Sequence, residues 1–553
     1  MILPPVAPQE IRIDFARPAG VPLFKTKFGV YQTPFTPLEP FVRSLDLLNE
    51  INVRDLRYEF AWGKPDAVAF DQIGGTAARP TYDFSFVDGL AAGLKARGIR
   101  PLFANSYCPV PLQTRKEWER WKDSPSDLQA WREINRTMVA RLRARGVPGA
   151  RYEVWNEPDM PEGKGKMFFN GGAADYGTLY DFGQRGIRAG DPDAAIGGPA
   201  AAYDLRYLDA ILKKPMDFAS IHGYANYPVQ IEGMRKRLVG RPDLPIYLTE
   251  YASFNDFREN GPAVRSNAAA AFFRDADGLL ALTDVTKVYW AQWIDDYLGL
   301  IDRKGHKRAL FNAFKVYGMM PTDRVSASPL DGMTVLASAD ESCAGIVVAN
   351  PTDEDRKVDL KMANLPVKTG SWHLYRIDAH HASYVDDPST EALKVDETIP
   401  LRDSWSGVVP KQGVIFLMAG KPVSHTFPQG DIVGERHSFA DRNSQAYAEF
   451  DPTDWTARLG DGKAEVGVSV DRISPRFRLF PTLQGPDALA LRIESKIGQG
   501  IVRRKLLRLT QAKGGVPIDL PKLLPGWNGQ RVTVTFFSQK TTPPSRVRIA
   551  LVR

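Results

Sequence analysis

The sequence predicts an α/β chain: a (β/α)8 TIM barrel, one β-sandwich and a further C-terminal β domain. Three observations carry that expectation. Between about residue 24 and residue 318, short apolar runs alternate with amphipathic helical patterns, eight of each. No Gly-x-Gly-x-x-Gly opens a helix after a strand, which counts against a doubly wound open sheet. After Pro321 the texture changes to short alternating runs divided by turn-prone clusters such as Pro351-Thr352-Asp353.

The expected barrel strands are Phe24 to Tyr31, Val53 to Trp62, Arg100 to Tyr107, Tyr152 to Trp155, Ala195 to Ala202, Phe218 to Tyr224, Ile246 to Tyr251 and Val285 to Trp293. Helical spacing is clear in Phe86 to Ala96, Leu128 to Arg145, Tyr176 to Ala189 and Ala263 to Leu282. Gly98 and Gly146 stand where helix ends need a positive φ. The sandwich is read from Met333 to Ala339, Cys343 to Ala349, Ser371 to Ile377 and Gly413 to Met418, with Glu10 to Phe15 as an early strand joining it. Ala446 to Phe450, Glu465 to Val470, Ala488 to Glu494 and Val532 to Phe537 form the last set. The expected domains are residues 1–20 as the N-terminal strand, 21–320 as the barrel, 321–422 as the sandwich and 423–553 as the C-terminal β domain.

Bulk properties narrow the function classes. At 553 residues and 61.5 kDa the chain is too long for one core. Its 72 basic and 65 acidic residues leave +7, but the basic runs lie in or beside helical patterns and read as solvated faces. Such a surface would suit an anionic polysaccharide, whereas nucleic acid has no supporting motif. Cys108 and Cys343 are far apart and read as separate thiols. No apolar stretch is long enough to span a bilayer. Met1-Ile2-Leu3-Pro4-Pro5 lacks the regions of a secretory signal. The expected location is therefore cytoplasmic, or periplasmic or secreted if a signal has been removed; the pattern does not speak to oligomeric state. His380-His381 lacks a ligand pattern, and Gly163-Lys164-Gly165-Lys166 lacks phosphate-loop spacing, so neither a metal nor a cofactor is expected.

The chemistry lies at two strand ends. Asn156-Glu157-Pro158 follows the apolar run Tyr152-Glu153-Val154-Trp155, and Glu250-Tyr251 closes Pro245-Ile246-Tyr247-Leu248-Thr249. In the barrel reading these are the fourth and seventh strands, and barrel active sites sit at the carboxyl ends of strands. Two carboxylates facing one cleft are what glycosidic cleavage needs: one gives a proton to the leaving oxygen, the other attacks or activates water.

Trp155-Asn156-Glu157-Pro158 and Thr249-Glu250-Tyr251 on a barrel resemble clan A of the glycoside hydrolases, and within it family 39, the β-xylosidases and α-L-iduronidases. Ser220-Ile221-His222-Gly223-Tyr224, Gly197-Gly198-Pro199 and Tyr289-Trp290 with Gly299-Leu300-Ile301 resemble further motifs of that family. The likeness covers roughly residues 10 to 420 and leaves out the last domain. It implies Glu157 as general acid and base, and Glu250 as the nucleophile of a retaining mechanism. It implies Asn156 on the sugar 2-hydroxyl, and Arg57 paired with Glu250 and keeping its pKa low. Tyr224 would bond Glu250, His222 would take part in substrate binding, and Trp290 would stack on the sugar. Glu59 stands where family xylosidases tend to carry histidine. With Asn105-Ser106-Tyr107-Cys108-Pro109 it would line the glycone pocket and alter the preferred sugar. Trp62, Tyr107 and Trp293 read as core. The expected partner is carbohydrate, cleaved from chain ends; the alternatives are an endo-acting hydrolase of bacterial exopolysaccharide and an inactive carbohydrate-binding protein. The last domain reads as a lid or spacer.

Overall fold

A computed structural model describes residues 9–114, 118–162, 165–421, 431–439, 446–452, 455–460, 464–482, 489–497, 501–509, 515–538 and 545–551. The Met1–Pro5 start and residues 163 and 164 of the Gly163–Lys166 stretch lie outside them.

The eight apolar runs form one closed parallel barrel. In chain order its strands are Phe28–Gln32, Asp55–Glu59, Arg100–Asn105, Arg151–Val154, Ala195–Ala201, Phe218–His222, Ile246–Tyr251 and Val285–Ala291. Each pairs with its chain neighbours, and Val288 opposite Phe28 closes the ring. Several strands are shorter than their apolar runs. The second stops at Glu59 although Phe60-Ala61-Trp62 is buried, because the chain turns at Ala61 with φ 51°. The helices Ser85–Ala96 and Leu128–Ala144 are followed by Gly98 and Gly146 at φ 62° and 92°.

Alternation decides which side chains enter the barrel. In Asp55–Glu59, Leu56 and Tyr58 pack outward under the helices, while Asp55, Arg57 and Glu59 make polar contacts inside. The result is a column of charge down the barrel, buried at both ends.

Gln9–Pro18 pairs with Val325–Ala327 and Arg356–Ala363, and Ser404–Val409 completes that sheet. It shares a core with a five-stranded sheet of Thr334–Ala339, Cys343–Asn350, Gly413–Gly420, Ser371–Ile377 and Glu397–Pro400. The last region holds two more five-stranded sheets around a core of its own.

That last region docks on the N-terminal end of the barrel. Asp55, Arg100 and Arg151 each begin a barrel strand, and Arg151 donates to Asp55 at 2.9 Å. Glu435, from strand Asp431–Phe439, enters the same cluster, accepting from Arg100 at 2.9 Å, with Lys287 3.9 Å away and His437 at 2.7 Å. Backbones touch here too: Gly149 has φ 65°, and a Cβ on it would lie 1.6 Å from the Val433 carbonyl oxygen. The strand ends that carry Glu157 and Glu250 are the opposite ones, so of the expected lid or spacer the structure corrects the lid. The region closes the barrel's other end.

Replacing Glu435 should therefore weaken the whole chain. Glu435→Gln would leave Arg100, Arg151 and Lys287 facing Asp55 alone. The expected loss is about 3–5 kcal/mol of unfolding free energy, read by chemical denaturation at neutral pH. Burial acts to raise the Glu435 carboxyl, but Lys287, His437 and Arg100 hold it well below the ordinary range. A depressed carboxylate stabilises above its unfolded pKa of about 4.3 and ceases to as pH falls through the folded value. The gap between wild type and variant should thus shrink in acid; equal stability at neutral pH would refute the role of this cluster.

Candidate active site

Arg57 is the centre of the site. It is fully buried at the middle of the second strand and needs partners for every donor. Its Nε donates to Glu153 at 2.8 Å, Nη1 to Glu250 at 2.7 Å and Nη2 to Asn156 at 2.7 Å. The guanidinium carbon also lies 4.7 Å over the Tyr31 ring. One rigid fork thus ties the second, fourth and seventh strands together.

Glu250 is held on both oxygens: Oε1 by Arg57, Oε2 by the Tyr224 hydroxyl at 2.6 Å. Glu157 stands just beyond the fourth strand, in a turn with Trp155 at φ 75° and Glu157 itself at φ 42°. The Glu157 N–H donates to the Ala200 carbonyl at 3.1 Å, which aims the carboxyl back over the barrel mouth. His222 Nδ1 lies 2.7 Å from Glu157 Oε1 and 3.7 Å from Glu250 Oε2. An oxygen of Glu157, an oxygen of Glu250 and a ring nitrogen of His222 all fall within 4.8 Å of one another. Those three are also the group with metal-ligand spacing among the described residues. Here, however, the Arg57 guanidinium already supplies the positive charge that Glu250 faces.

The two carboxyls sit in different fields. Burial, then the neighbouring Asp159, pushes Glu157 up to about 8, against Arg57. Burial also lifts Glu250 above its ordinary value, opposed by His222, Arg57 and the Tyr224 hydrogen bond. This corrects the expectation that Arg57 keeps Glu250 low: its pull is present, but desolvation outweighs it. Burial lowers His222, so the imidazole is neutral near pH 7.

Glu59 does not pair directly with Arg57. Its oxygens accept from the Tyr31 hydroxyl at 2.9 Å and from Ser106 Oγ at 3.0 Å. The third-strand segment thereby reaches the site, and Asn156 Nδ2 donates to the Tyr107 hydroxyl at 3.2 Å. Tyr107, read as core, is a site residue. Trp62 and Trp293 are core.

Trp290 is the second correction. It is 1% exposed and packs edge-on against Tyr251 at 4.6 Å and near Phe272 at 5.0 Å, under the helices. Alternation along Val285–Ala291 sends Tyr289 and Ala291 inward and Trp290 outward, so no sugar can reach its face.

Two contributors went unread in the sequence. Glu153, two residues before the Trp155 turn, orients Arg57; the alternation Arg151-Tyr152-Glu153-Val154 already marks it as an inward charge. Asp159 accepts from the Ala202, Tyr203 and Asp204 N–H groups at 2.6–2.9 Å and braces the loop after the fifth strand. It carries no local signal, because its partners are backbone groups distant in sequence.

Comparison with known proteins agrees with this geometry. Residues 43–273 match the family described as Glycosyl hydrolases family 39. A β-xylosidase of Geobacillus stearothermophilus is 28% identical over 163 residues, 27% of this chain and 32% of that protein. The match thus spans about a third of that relative's length. The solved structure of a GH39 enzyme from Xanthomonas axonopodis pv. citri overlays on 76% of this chain and 100% of its own, with TM-score 0.62 and 18% identity. A structure described as the bacterial orthologue of human α-L-iduronidase covers 98% of this chain and 97% of its own, with TM-score 0.57 and 14% identity. That last overlay extends the likeness in fold to the C-terminal β region, which the sequence comparison had left out. Residues 43–273, which hold the second to seventh barrel strands, thus carry the likeness to glycoside hydrolase family 39.

Proposed function

We propose that the chain is a retaining glycoside hydrolase in which Glu157 is the acid and base and Glu250 the nucleophile. One observation carries this reading: two buried carboxyls with oxygens within 4.8 Å, one aimed by a turn and one clamped by Arg57 and Tyr224. A double displacement needs carboxyls ~5–5.5 Å apart, since wider spacing leaves room for a water instead.

The charges support the division of roles. Around Arg57 stand Glu153, Glu250, Glu59 and Glu157, more acids than one guanidinium can balance, so one carboxyl holds a proton. Glu157, lifted furthest, is the natural holder. It gives that proton to the leaving oxygen while Glu250 attacks the anomeric carbon to form a glycosyl ester. Glu157, now a carboxylate, takes a proton from water as that water attacks the same carbon and releases Glu250. Asn156, held by Arg57 through its Oδ1, keeps an Nδ2 hydrogen for the sugar 2-hydroxyl, a bond that strengthens in the transition state. His222 steadies the Glu157 carboxyl between the two steps.

The relatives' names favour a xylose-like glycone removed from chain ends. Glu59, with Tyr31 and Ser106 already on its oxygens, offers its remaining lone pairs to sugar hydroxyls and tunes which glycone fits. Cleavage within a chain is favoured instead by the aromatic rings exposed around the barrel mouth.

Glu250→Ala should reduce turnover by at least about 10⁴-fold with the fold retained by circular dichroism; near-normal rates would remove it as nucleophile. Glu157→Ala should lose about 10²–10⁴-fold on poor leaving groups and far less on activated aryl glycosides. Equal losses on both would contradict the acid role.

The pH profile of kcat/KM gives a further check. An acid that must be protonated loses activity as pH rises through its pKa, so the alkaline limb should fall near the value of about 8 held by Glu157. A nucleophile that must be ionised fails as pH drops, and the lifted Glu250 puts that limb above the ordinary glutamate range. Glu157→Gln should abolish the alkaline limb for activated substrates; a limb unmoved by that change would assign it to another group.

A further inference from the structure

Aromatic side chains exposed to water are unevenly placed on this molecule. Among the described residues they are Phe35 at 42% exposure, Trp118 at 70%, Tyr203 at 58%, Phe257 at 54% and Tyr297 at 43%. All five sit on loops that follow barrel strands, at the catalytic end: after the first, third, fifth, seventh and eighth strands. The remaining large exposed apolar residues, such as Val229, Val395 and Leu506, are aliphatic. Single exposed apolar residues need no explanation, but one chemical type confined to one face does. Aromatic rings present a flat apolar face, the complement of the C–H face of a pyranose.

The rings also bracket the catalytic pair. In an eight-stranded ring, strands four apart are opposite, so the loop of Phe35 lies opposite that of Tyr203 and the loop of Trp118 opposite that of Phe257. Short contact chains link three of them, Phe35, Tyr203 and Phe257, to the site. Phe257 lies 5.8 Å from the Tyr224 ring, whose hydroxyl bonds Glu250. Lys64 Nζ bridges Phe35 and Trp121 at 4.8 and 5.2 Å, and Trp121 lies 4.8 Å from Tyr107, the partner of Asn156. The Tyr203 N–H donates to Asp159, two residues past Glu157.

Charge narrows the ligand. Among the described residues, four cations beside these rings are matched by carboxylates: Lys64 by Asp66, Lys122 by Glu119, Arg206 by Asp204 and Arg258 by Asp256. Among the described residues this pairing offsets much of the positive field that a polyuronate would need, despite the basic overall composition.

We propose that the barrel mouth is the centre of a binding surface for a neutral polysaccharide, whose chain runs across the catalytic pair and stacks on rings at both sides. This rests on the hydrolase reading for its consequence, cleavage within the chain, but not for the binding itself.

Binding is tested with the full-length Glu250→Gln protein on native gels containing soluble xylan, glucomannan, mixed-linkage β-glucan or polygalacturonate. At least one neutral polymer should retard it. Phe35→Ala, Trp118→Ala and Tyr203→Ala, surface changes that leave the fold intact, should each weaken that affinity about tenfold. In the active protein the same three changes should lower kcat/KM on the retarding polymer and leave aryl-glycoside hydrolysis unchanged, and early products should be of intermediate length. Several results would overturn the proposal: no neutral polymer retards, only polygalacturonate does, affinity survives all three changes, or the first products are single sugars. Ring-dependent retardation without hydrolysis of any substrate would uphold the surface and refute the enzyme. Aryl-glycoside hydrolysis without retardation would do the reverse.

Discussion

Everything at the catalytic end depends on one buried guanidinium. Arg57 is 0% exposed, and a charge so placed is tolerable only when its donors are matched by acceptors of opposite charge. Its three partners come from two other strands, so the requirement to satisfy Arg57 also sets where Glu250 and Asn156 point. Lysine could not do this, because a point charge on a flexible stem lacks three fixed donor directions. Glu153 completes the arrangement from below, and Tyr31 covers the guanidinium face.

Two charged clusters divide the barrel interior between structure and chemistry. At the N-terminal end Asp55, Arg100, Arg151 and Lys287 receive Glu435 from the last region, and the cluster is nearly balanced and closed to solvent. At the other end acids outnumber bases, and burial, then the neighbouring Asp159, lifts Glu157. The alternating column at 55, 57 and 59 feeds both ends from a single strand. Docking the C-terminal sheets at the N-terminal end of the barrel leaves the other mouth uncovered by them.

The turn that carries Glu157 shows how backbone geometry serves the site. Trp155 and Glu157 both take positive φ, a conformation that residues with a Cβ adopt at some cost, typically ~1–3 kcal/mol each. The surrounding bonds pin the turn: Trp155 N–H to Asn105, Glu157 N–H to Ala200, and Trp155 Nε1 to the Phe168 carbonyl. The carboxyl leaves the strand direction and faces His222 and Glu250, whereas a continued strand would have carried it past them.

Much of this was legible in the chain itself. Eight alternating units determine the barrel because each apolar strand must be covered by an amphipathic helix, and the strand ends then locate Glu157 and Glu250 without coordinates. Asn156, Arg57, Glu59, His222 and Tyr224 follow from the same strand ends and from likeness to relatives, and the structure gathers all of them around one mouth. Trp290 was misread because a strand end contains residues of both faces, and only the register of Tyr289 and Ala291 tells which is inward. Asp159 escaped because its partners, three backbone N–H groups, are 43 to 45 residues away and meet it only once the barrel closes. Periodicity and residue chemistry, which act locally, thus determined the fold and the catalytic pair. Burial, the balance of charge and the circular order of the loops depend on the closed ring, and these decided which carboxyl keeps a proton, where the last region docks and what surrounds the mouth.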